Sequence, residues 1–573
     1  MQKEIIENHF KMKSKLLLII SFCLFLDYAS RAQANFNWAG SMSGTGNDYS
    51  SSIALDAAGD VYTTGWFSGT VDFDPGTSVY NLTVAGGIFD VFVCKYSSSG
   101  AFVWAKRMGG ASVDYGRSIA VDSIGNVFIT GDFGGTADFD PGSGLYNLVS
   151  SGNSDIFICK LDASGNFLWA KSMGALQGDQ GYSIALDAVG NIYTTGCYSD
   201  TVDFNPGTGV FDLMSPGVSS AFVSKLDATG NFVWAKSITG TSYSIGQGLT
   251  QSNGNIYITG YFDGTEDFDP GIGVYNLSTA GSADIFVAHL DTLGNFVWAK
   301  RLGGGADDRG YSIAVDLAGN IYTTGYYNGT GDFDPGAAIY NLSALGYSDV
   351  FVSKLNPSGN FVWAKSMGGV NPEYSYSVAV DDLGSVYTTG DFGATADFDP
   401  GVGVQDLTSS GPDDVYISKL DSSGIFVWAK RIGSSGGDGG RAIAVDDIDN
   451  VFVTGIFFYT VDFDPGGGTY YLTADGTNWD IFVLRLGTET GINESPYFNF
   501  TIFPNPGNGI FFIKSEIQVT KIEVRNVLGE TIYSSKVNSQ DESIDLSNQS
   551  NGVYFVRLFS EKGIITKQIC IAK

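Results

Sequence analysis

The stretch SIAVDSIGNVFITGDFGGTADFDPGSGLYNLVSSGNSDIFICKLDASGNFLWAK (118–171) decides the fold, because close variants of it recur along the chain. Its tryptophan marks the period. The equivalent residues are Trp38, Trp104, Trp169, Trp234, Trp298, Trp363 and Trp428, which are separated by 66, 65, 65, 64, 65 and 65 residues. A fixed period of this kind is the signature of a repeat architecture such as a propeller or solenoid.

The repeat divides into four short segments: SIAVD (118–122), NVFITGDF (126–133), DIFICKL (155–161) and NFLWAK (166–171). They are rich in β-branched and aromatic residues, which favours strands. The pattern D-x-x-G-N joins the first segment to the second and the third to the fourth, and its glycine supplies the positive φ of a tight hairpin. Four antiparallel strands per repeat predict one propeller blade.

The ends of the repeat region predict a closed ring. The last repeat stops at DIFVLRL (480–486) without a tryptophan strand, and NFNWAG (35–40) at the start of the chain is that missing strand. A solenoid would instead need polar capping repeats at both ends. We therefore predict an all-β protein with a seven-bladed β-propeller over 35–486.

Segments outside the repeats predict export and a second domain. Residues 1–34 have the basic, apolar and small-residue regions of a signal peptide, with cleavage expected between Ala34 and Asn35. A polar linker (487–500) precedes residues 501–573, whose alternating apolar segments and glycine turns predict a small β-sandwich.

Two resemblances follow from these motifs. SIAVDxxGNVYxTG followed by DxFVxKLDxxGNFVWAK resembles the bacterial β-propeller repeat (SBBP) family, whose blade layout is similar to that of NHL propellers; this implies that SIAVD is innermost and the tryptophan strand outermost. Residues 501–573 resemble the C-terminal sorting domain of type IX secretion cargo in Bacteroidetes. The residues that carry the second resemblance are Pro504, Asn505, Pro506, Gly509, Leu528, Gly529, Gly552, Val553, Tyr554 and Lys567.

The sorting resemblance implies that the type IX machinery is a partner. It also implies an extracellular protein that is either attached to the outer-membrane surface or released. The formal charge of −30 disfavours binding to nucleic acid or direct insertion into a membrane. We expect a monomer. The cysteines Cys94, Cys159, Cys197 and Cys570 match no zinc or disulfide pattern, so we expect small buried side chains.

Catalysis by a histidine-based triad is not expected. The only histidine after the signal peptide, His289, occupies a slot that holds lysine or arginine in the other repeats, so we interpret it as a structural replacement for that cation. The repeated tryptophans are expected to pack between blades, whereas Trp66 and Trp479 lie outside the register and are candidates for exposed contacts. We predict a non-enzymatic binding or display module for a glycan or protein, with no required cofactor. The alternatives are a carboxylate-dependent glycan hydrolase or lyase and a purely structural surface-layer component.

The motif TxDFDPG lies between the second and third strands of every repeat and predicts an extra hairpin. We expect these hairpins to rim the same face as the blade-to-blade loops. Its acids are calcium candidates: Asp72, Asp74, Asp138, Asp140, Asp203, Asp267, Asp269, Asp332, Asp334, Asp397, Asp399, Asp462 and Asp464, with Asn205 the one exception in the series. The competing explanation is turn chemistry, which accounts for Asp-Pro-Gly but not for the recurrence of the first aspartate.

One repeat departs from the pattern. QGLTQ (247–251) stands where other repeats have SIAVD, so Gly248 and Thr250 are expected to replace two apolar core residues and Gln251 the turn aspartate. This predicts either a local weak point or the edge of a functional site.

Overall fold

The computed structural model describes residues 34–476, 478–488, 500–526, 531–560 and 563–573. Every regular element among these residues is a β-strand. The chain divides into two compact units, one formed by Ala34–Gly487 and one that contains the described residues from Thr488 onward. The predicted signal peptide lies outside the described residues, apart from Ala34, which begins a strand.

The first unit contains the repeats, numbered 1 to 7 from Tyr49. The first strands are Tyr49–Leu55, Asp114–Val121, Gln180–Leu186, Ser244–Ser252, Arg309–Val315, Glu373–Val380 and Gly439–Val445. The second strands are Val61–Phe67, Val127–Phe133, Ile192–Tyr198, Asn255–Phe262, Ile321–Asp332, Val386–Phe392 and Val451–Phe457. The third strands are Asp90–Tyr96, Asp155–Leu161, Ser220–Leu226, Asp284–Asp291, Asn341–Leu355, Asp414–Leu420 and Asp480–Thr488. The fourth strands of repeats 1 to 6 are Phe102–Gly110, Phe167–Met173, Phe232–Gly240, Phe296–Gly304, Phe361–Gly369 and Phe426–Ile432.

Strands pair in the order first, second, third, fourth within each repeat, and every pair with a printed register is antiparallel. In repeat 7 the fourth place belongs to Ala34–Gly44, which lies beside Asp480–Thr488 in the sheet. The two strands at the ends of the repeat region therefore share one sheet.

A β-bulge in the first strand accounts for the glycine of the second. In repeat 1 the register shifts between Ser50 and Ser52, opposite Gly65. A Cβ on Gly65 would lie 1.9 Å from the carbonyl oxygen of Tyr49, so only glycine fits. The next-door threonine, Thr64, donates its hydroxyl to the carbonyl oxygen of Phe92 at 2.7 Å. Both residue types recur at these positions in all repeats.

The hydrophobic core lies between neighbouring repeats. Repeats 1 and 2 share a cluster that includes Tyr62, Val93, Phe133 and Phe157, each fully buried. Equivalent clusters join each successive pair, and one joins repeat 7 to repeat 1. Each fully buried aromatic or aliphatic side chain contributes about 1.5–3 kcal/mol. Most of the stability of a repeat therefore depends on its neighbours.

The period tryptophans fasten each repeat to the following one. The indole Nε1 of Trp104 donates to the carbonyl oxygen of Ala163, in the third-to-fourth turn of repeat 2, at 3.2 Å. The ring packs on Gly165 of that turn, where a Cβ would approach Trp104 Cδ2 to 3.1 Å. Trp38, Trp234, Trp298 and Trp363 make the same hydrogen bond. This arrangement confirms the packing role expected for the tryptophans.

The strand register corrects our interpretation of repeat 4. Leu249 pairs opposite Ile258 as Ile184 pairs opposite Thr194, and both side chains are buried. The segment equivalent to SIAVD is therefore GLTQS (248–252), one residue later than expected, because the turn between the first and second strands of repeat 4, SNGN (252–255), is one residue shorter than the D-x-x-G-N of the other repeats. Gly248 replaces a serine and Ser252 the turn aspartate, so the core residue is kept.

The second unit is a single five-stranded sheet. Its strands are Phe500–Phe503, Ile510–Asn526, Thr531–Asp545, Gly552–Ser560 and Gly563–Ile571. The long second strand pairs with the first, third and fourth strands at different parts of its length, and register shifts follow Lys514 and Val519. Its buried core includes Phe511, Val524 and Leu558.

Candidate functional site

The TxDFDPG acids hold the hairpin loop together. Asp72 Oδ1 accepts hydrogen bonds from the backbone N–H of Asp74 at 3.1 Å and of Tyr80 at 2.8 Å, and Asp74 Oδ1 accepts from Gly76 N–H at 2.8 Å. The first aspartate makes the same two bonds at Asp138, Asp203, Asp267, Asp332, Asp397 and Asp462. The second acid makes the same bond at Asp140, Asn205, Asp269, Asp334, Asp399 and Asp464. Loop closure thus explains why the first aspartate recurs without invoking a metal, and calcium binding here stays a prediction.

The expectation that the hairpins rim the loop face is wrong. The hairpin base pairs with the end of the preceding fourth strand, as Asp72 does with Ser43, but the tip runs along the outer side of its own repeat. Tyr80 near the tip packs on Phe102 at the start of the fourth strand, with ring centroids 4.9 Å apart. Such a hairpin is therefore hydrogen-bonded at its base to the preceding repeat and packed near its tip on the fourth strand of its own repeat. It thus connects the two repeats. Among the described residues no group of three or more His, Cys, Asp or Glu side chains could hold a metal ion.

A different set of side chains departs from the repeat. Three slots on the first and second strands, at the end nearest the blade-to-blade loops, hold unlike residues in each repeat. The first slot holds Tyr49, Tyr115, Gln180, Ile245, Arg309, Tyr374 and Gly439. The second holds Ser51, Arg117, Tyr182, Gln247, Tyr311, Tyr376 and Arg441. The third, on the second strand, holds Trp66, Asp132, Cys197, Tyr261, Tyr326, Asp391 and Ile456. We call these side chains the axial cluster.

Members of the axial cluster touch across repeats, on one side through repeats 1 to 3. Trp66 stacks on Tyr49 with centroids 4.3 Å apart and meets the Tyr115 edge at 4.9 Å. The Arg117 guanidinium lies between Tyr115 and Tyr182, at 5.3 and 4.8 Å from their ring centroids, and forms an ion pair with Asp132. Stacking and cation–π contacts of this kind hold planar groups in fixed orientations.

The other side of the cluster, through repeats 4 to 7 and back to repeat 1, is built from tyrosines and two arginines. Arg441 lies 4.4 Å from the Tyr376 centroid and 5.2 Å from that of Tyr49, and its NH1 pairs with Asp391 Oδ2 at 3.0 Å. Arg309 stacks on Tyr261 at 4.5 Å. The acid that pairs with this arginine is Asp307, in the loop before the strand.

Asp307 joins Arg309 to the tyrosines. Its Oδ2 lies 3.0 Å from Arg309 Nε and accepts the Tyr326 hydroxyl at 2.6 Å. The side chains of Asp307 and Arg309 are 34% and 32% exposed, so they are the open members of the cluster, whereas Arg441 is only 13% exposed. The cluster therefore has a closed part that fixes geometry and an open part that solvent reaches.

Burial sets the protonation of the closed part. Desolvation raises the pKa of Asp391 to about 6 despite the neighbouring Arg441, and it raises the pKa of Asp132 despite Arg117. Desolvation also raises the pKa of Tyr311 to about 12. At neutral pH the tyrosines are therefore neutral donors, and each buried arginine has an acid beside it.

The sequence analysis did not predict this cluster, because it looked for residues that are the same in every repeat. Of its members only Trp66 and Cys197 were named from the sequence; Trp66 is half-buried in the cluster rather than freely exposed, and Cys197 is buried. Trp479, the other residue outside the register, is 42% exposed. Aligning the seven repeats with one another would have found the cluster, because its three slots vary while the scaffold slots do not.

Other predicted residues are buried in the scaffold. His289 fills the slot of the repeated cation and stacks on Tyr257 at 4.5 Å. Burial lowers its pKa to about 4, so it replaces the side chain but not the charge. Cys94, Cys159 and Cys197 are buried free thiols, as expected. The side chain of Cys570 lies outside the described residues.

Leu528 and Gly529, two of the predicted sorting residues, lie outside the described residues, and the others belong to the five-stranded sheet and its turns. Pro504, Asn505 and Pro506 form the turn after the first strand, and the Gly509 carbonyl accepts Leu546 N–H at 2.7 Å. Further described members are Gly552, which begins the fourth strand, Tyr554, whose hydroxyl donates to Ser550 O at 2.9 Å, and Lys567, which pairs with Val556.

Comparison with protein families agrees with both parts of the sequence. Residues 103–132 and 297–334 match the family model described as beta-propeller repeat, and residues 501–572 match the secretion system C-terminal sorting domain. The chain is thus an all-β protein with propeller repeats and a type IX sorting domain, which indicates secretion to the cell surface or extracellular space. None of the described elements is a helix that could cross a membrane.

Individual relatives are more distant. The uncharacterized WD repeat-containing protein L264 of Acanthamoeba polyphaga mimivirus is 25% identical over 73% of this chain and 35% of its own length. The regulatory protein FlaEY of Caulobacter vibrioides is 30% identical over 26% of this chain and 16% of its own length. The chain thus spans at most about a third of these relatives. The crystal structure of Sqt1 from Chaetomium thermophilum aligns with 78% of this chain and 88% of its own, at 11% identity and a TM-score of 0.36.

Proposed function

We propose that this protein is a non-enzymatic surface module, a seven-bladed propeller that binds an extracellular glycan or protein through its axial cluster. The core shared by repeats 7 and 1, and the sheet shared by the two ends of the repeat region, support a closed ring. Export rests on the sorting domain. We further propose that the register shifts after Lys514 and Val519 fold this one sheet back on itself, so that residues 501–573 form the β-sandwich expected from the sequence.

The observation that carries the binding proposal is where the seven repeats differ. Scaffold slots repeat one residue type, as the threonine and glycine at Thr64 and Gly65 do, but the axial slots hold arginine, tyrosine, tryptophan, aspartate and glutamine in an irregular order. A packing role alone would be met by one residue type repeated. Partly exposed aromatic rings beside a polar pair match the composition of ligand sites, in which a few polar groups fix orientation.

The test is binding of the full secreted chain to an array of glycans and to extracellular matrix proteins, followed by two variants. Trp66→Ala removes a half-buried ring of the cluster, and Tyr146→Ala removes an exposed ring of a hairpin. Central aromatic anchors typically contribute about 2 kcal/mol or more, so Trp66→Ala should weaken binding roughly 30-fold. Tyr146→Ala should leave the affinity within twofold. Equal losses, or a loss only in the hairpin variant, would contradict the axial site.

A glycan hydrolase or lyase is the second candidate, and one observation favours it. Burial raises the pKa of Asp391 to about 6, and the partly exposed Asp307 accepts the Tyr326 hydroxyl, so two acids in unlike surroundings lie in or beside the cluster. Incubating any glycan that binds with the parent chain and with Asp307→Asn distinguishes the two functions. Product release that the variant loses would establish the enzyme, whereas intact glycan in both samples supports binding alone.

A further inference from the structure

Acidic side chains meet in pairs where one repeat joins the next. The acid that begins a third strand lies beside the acid that begins the next first strand, and both are buried. The pairs are Asp90 with Asp114, Asp155 with Asp179, Asp284 with Asp308, Asp349 with Glu373, Asp414 with Asp438 and Asp480 with Asp48. At the junction of repeats 3 and 4, Ser220 and Ser244 take these places.

At two junctions the two carboxylates of the pair converge on the same glycine. A Cβ added to Gly109 would lie 2.7 Å from Asp90 Oδ1 and 2.9 Å from Asp114 Oδ2. At Gly303 the same construction gives 2.6 Å to Asp308 Oδ2 and 2.9 Å to Asp284 Oδ1. These close approaches explain why glycine occupies this slot, and they place two negative charges together in a buried site.

An arginine supplies the counter-charge at three junctions. Arg107 NH1 lies 2.7 Å from Asp90 Oδ2, and Arg301 NH1 lies 2.7 Å from Asp284 Oδ2. Arg431 pairs with Asp414 at 2.5 Å in the same way. Burying a carboxylate without a partner charge is costly, so a cation beside these acids is the expected solution.

The junction that closes the repeats lacks this arginine. Ser41 occupies the slot of Arg107, as Ser172 and Ser366 do at two other acid pairs, and among the described residues no basic side chain forms an ion pair with Asp48 or Asp480. At those two other pairs Asp155 and Asp349 accept serine hydroxyls instead. Asp48 Oδ1 accepts Ser68 N–H at 3.0 Å, and Asp480 Oδ2 accepts Asp475 N–H at 2.7 Å, while the Ser43 hydroxyl and Gly44 N–H also face Asp480. The other oxygens, Asp48 Oδ2 and Asp480 Oδ1, are buried without a hydrogen-bond partner. Among the described acid pairs, this is the one in which both acids have a buried oxygen without a hydrogen-bond partner.

We propose that Asp48 and Asp480 bind one divalent cation, calcium being the best match, which supplies the charge that arginine supplies at the sister junctions. Calcium prefers hard oxygen ligands and accepts carbonyls, hydroxyls and water beside carboxylates. Ser43, which stands in the slot of Gly109, brings a hydroxyl next to Asp480. A cation here ties the first repeat to the last, so it stabilises ring closure.

The experiment titrates calcium chloride into the chelator-treated full chain at pH 8.5, by calorimetry and by melting. We expect one ion per chain and a melting temperature raised by about 3 °C or more at saturating calcium. Ser41→Arg should abolish both effects while raising the melting temperature in chelator. Asp480→Asn should abolish the binding heat, and the hairpin variant Asp72→Asn should keep it.

Three results would overturn the proposal. No binding heat at pH 8.5, with stability that rises on acidification, would mean that the pair holds only a proton. Heat that persists in both Asp480→Asn and Ser41→Arg would place calcium elsewhere. Heat lost in Asp72→Asn but kept in Asp480→Asn would assign it to the hairpins. Should Asp480→Asn fail to fold, Ser41→Arg still decides, because it adds a charge and removes no ligand.

Discussion

Glu373→Gln should stabilise the protein at high pH and leave it unchanged at low pH. Glu373 is fully buried; its Oε2 accepts Gly369 N–H at 2.9 Å, and its Oε1 has no hydrogen-bond partner. Burial, with the charge of Asp349 adding to it, raises the pKa of Glu373 from 4.5 to about 8. Glutamine keeps the oxygen that accepts Gly369 N–H and turns an amide toward Asp349.

The size and the sign of this stability change follow from the linkage between proton binding and folding. The folded protein retains this proton up to about pH 8, whereas the unfolded chain releases it near 4.5, so the stability from this group is full below pH 4.5 and is lost as pH rises to 8. A shift of about 3.5 units at about 1.36 kcal/mol per unit gives an upper limit of about 5 kcal/mol. We therefore expect Glu373→Gln to exceed the parent by about 2–5 kcal/mol at pH 9 and by less than about 1 kcal/mol at pH 4.

The assay is urea unfolding of the full chain from pH 2 to 9 in chelator, so that metal ions do not intervene. Asp227→Asn is the matched control of opposite sign, because hydrogen bonds from Asn231 and Thr229 outweigh slight burial and lower the pKa of Asp227 to about 2. This variant should lose stability at neutral pH and converge with the parent near pH 2. A Glu373→Gln variant that is less stable than the parent at pH 9 would refute the reasoning.

Three further predictions concern the scaffold and export. Deleting residues 34–44 should expose an unpaired strand edge and cause aggregation or a large fall in melting temperature; an unchanged melting curve would contradict ring closure. Gly165→Ala should destabilise by about 1–3 kcal/mol, because the new Cβ meets Trp104 at positive φ, while Gly329→Ala, at φ +62 with open space, should show only the smaller backbone cost in the same melts. Residues 487–573 fused to a reporter with a signal peptide should reach the surface of a Bacteroidetes host, and removal of residues 501–573 should leave this protein in the periplasm; surface delivery without them would exclude the sorting role.

The repeat itself could be predicted because its side chains meet the same surroundings in each repeat. The predicted segments NVFITGDF (126–133) and DIFICKL (155–161) match the strands Val127–Phe133 and Asp155–Leu161 almost residue for residue. The error in repeat 4 arose from a one-residue deletion, since Leu249 rather than Gly248 occupies the core position. The period tryptophan precedes the core residue by 15 residues in every repeat, as Trp169 precedes Ile184 and Trp234 precedes Leu249, so this spacing in the sequence places the missing residue in the turn that follows the strand.

The predicted position of the hairpins was wrong for a different reason. Turn chemistry around Asp72 gave the local conformation, but the direction of the hairpin depends on its pairing with Gly44 and Ser43 of another repeat. The contact between Tyr80 and Phe102 is likewise a tertiary contact, so the position of the tip was beyond local rules.

The axial cluster shows why function is hard to read from a regular repeat. A side chain between two repeats has the same neighbours seven times, so one residue type satisfies every copy. A side chain of the axial cluster meets unlike partners on the neighbouring repeats, and a charge placed there must be matched by another repeat or by an adjacent loop. Arg441 of repeat 7 pairs with Asp391 of repeat 6, and each buried charge is balanced by the other. Selective recognition of one ligand requires that sevenfold equivalence be lost, and the axial slots are where this sequence loses it.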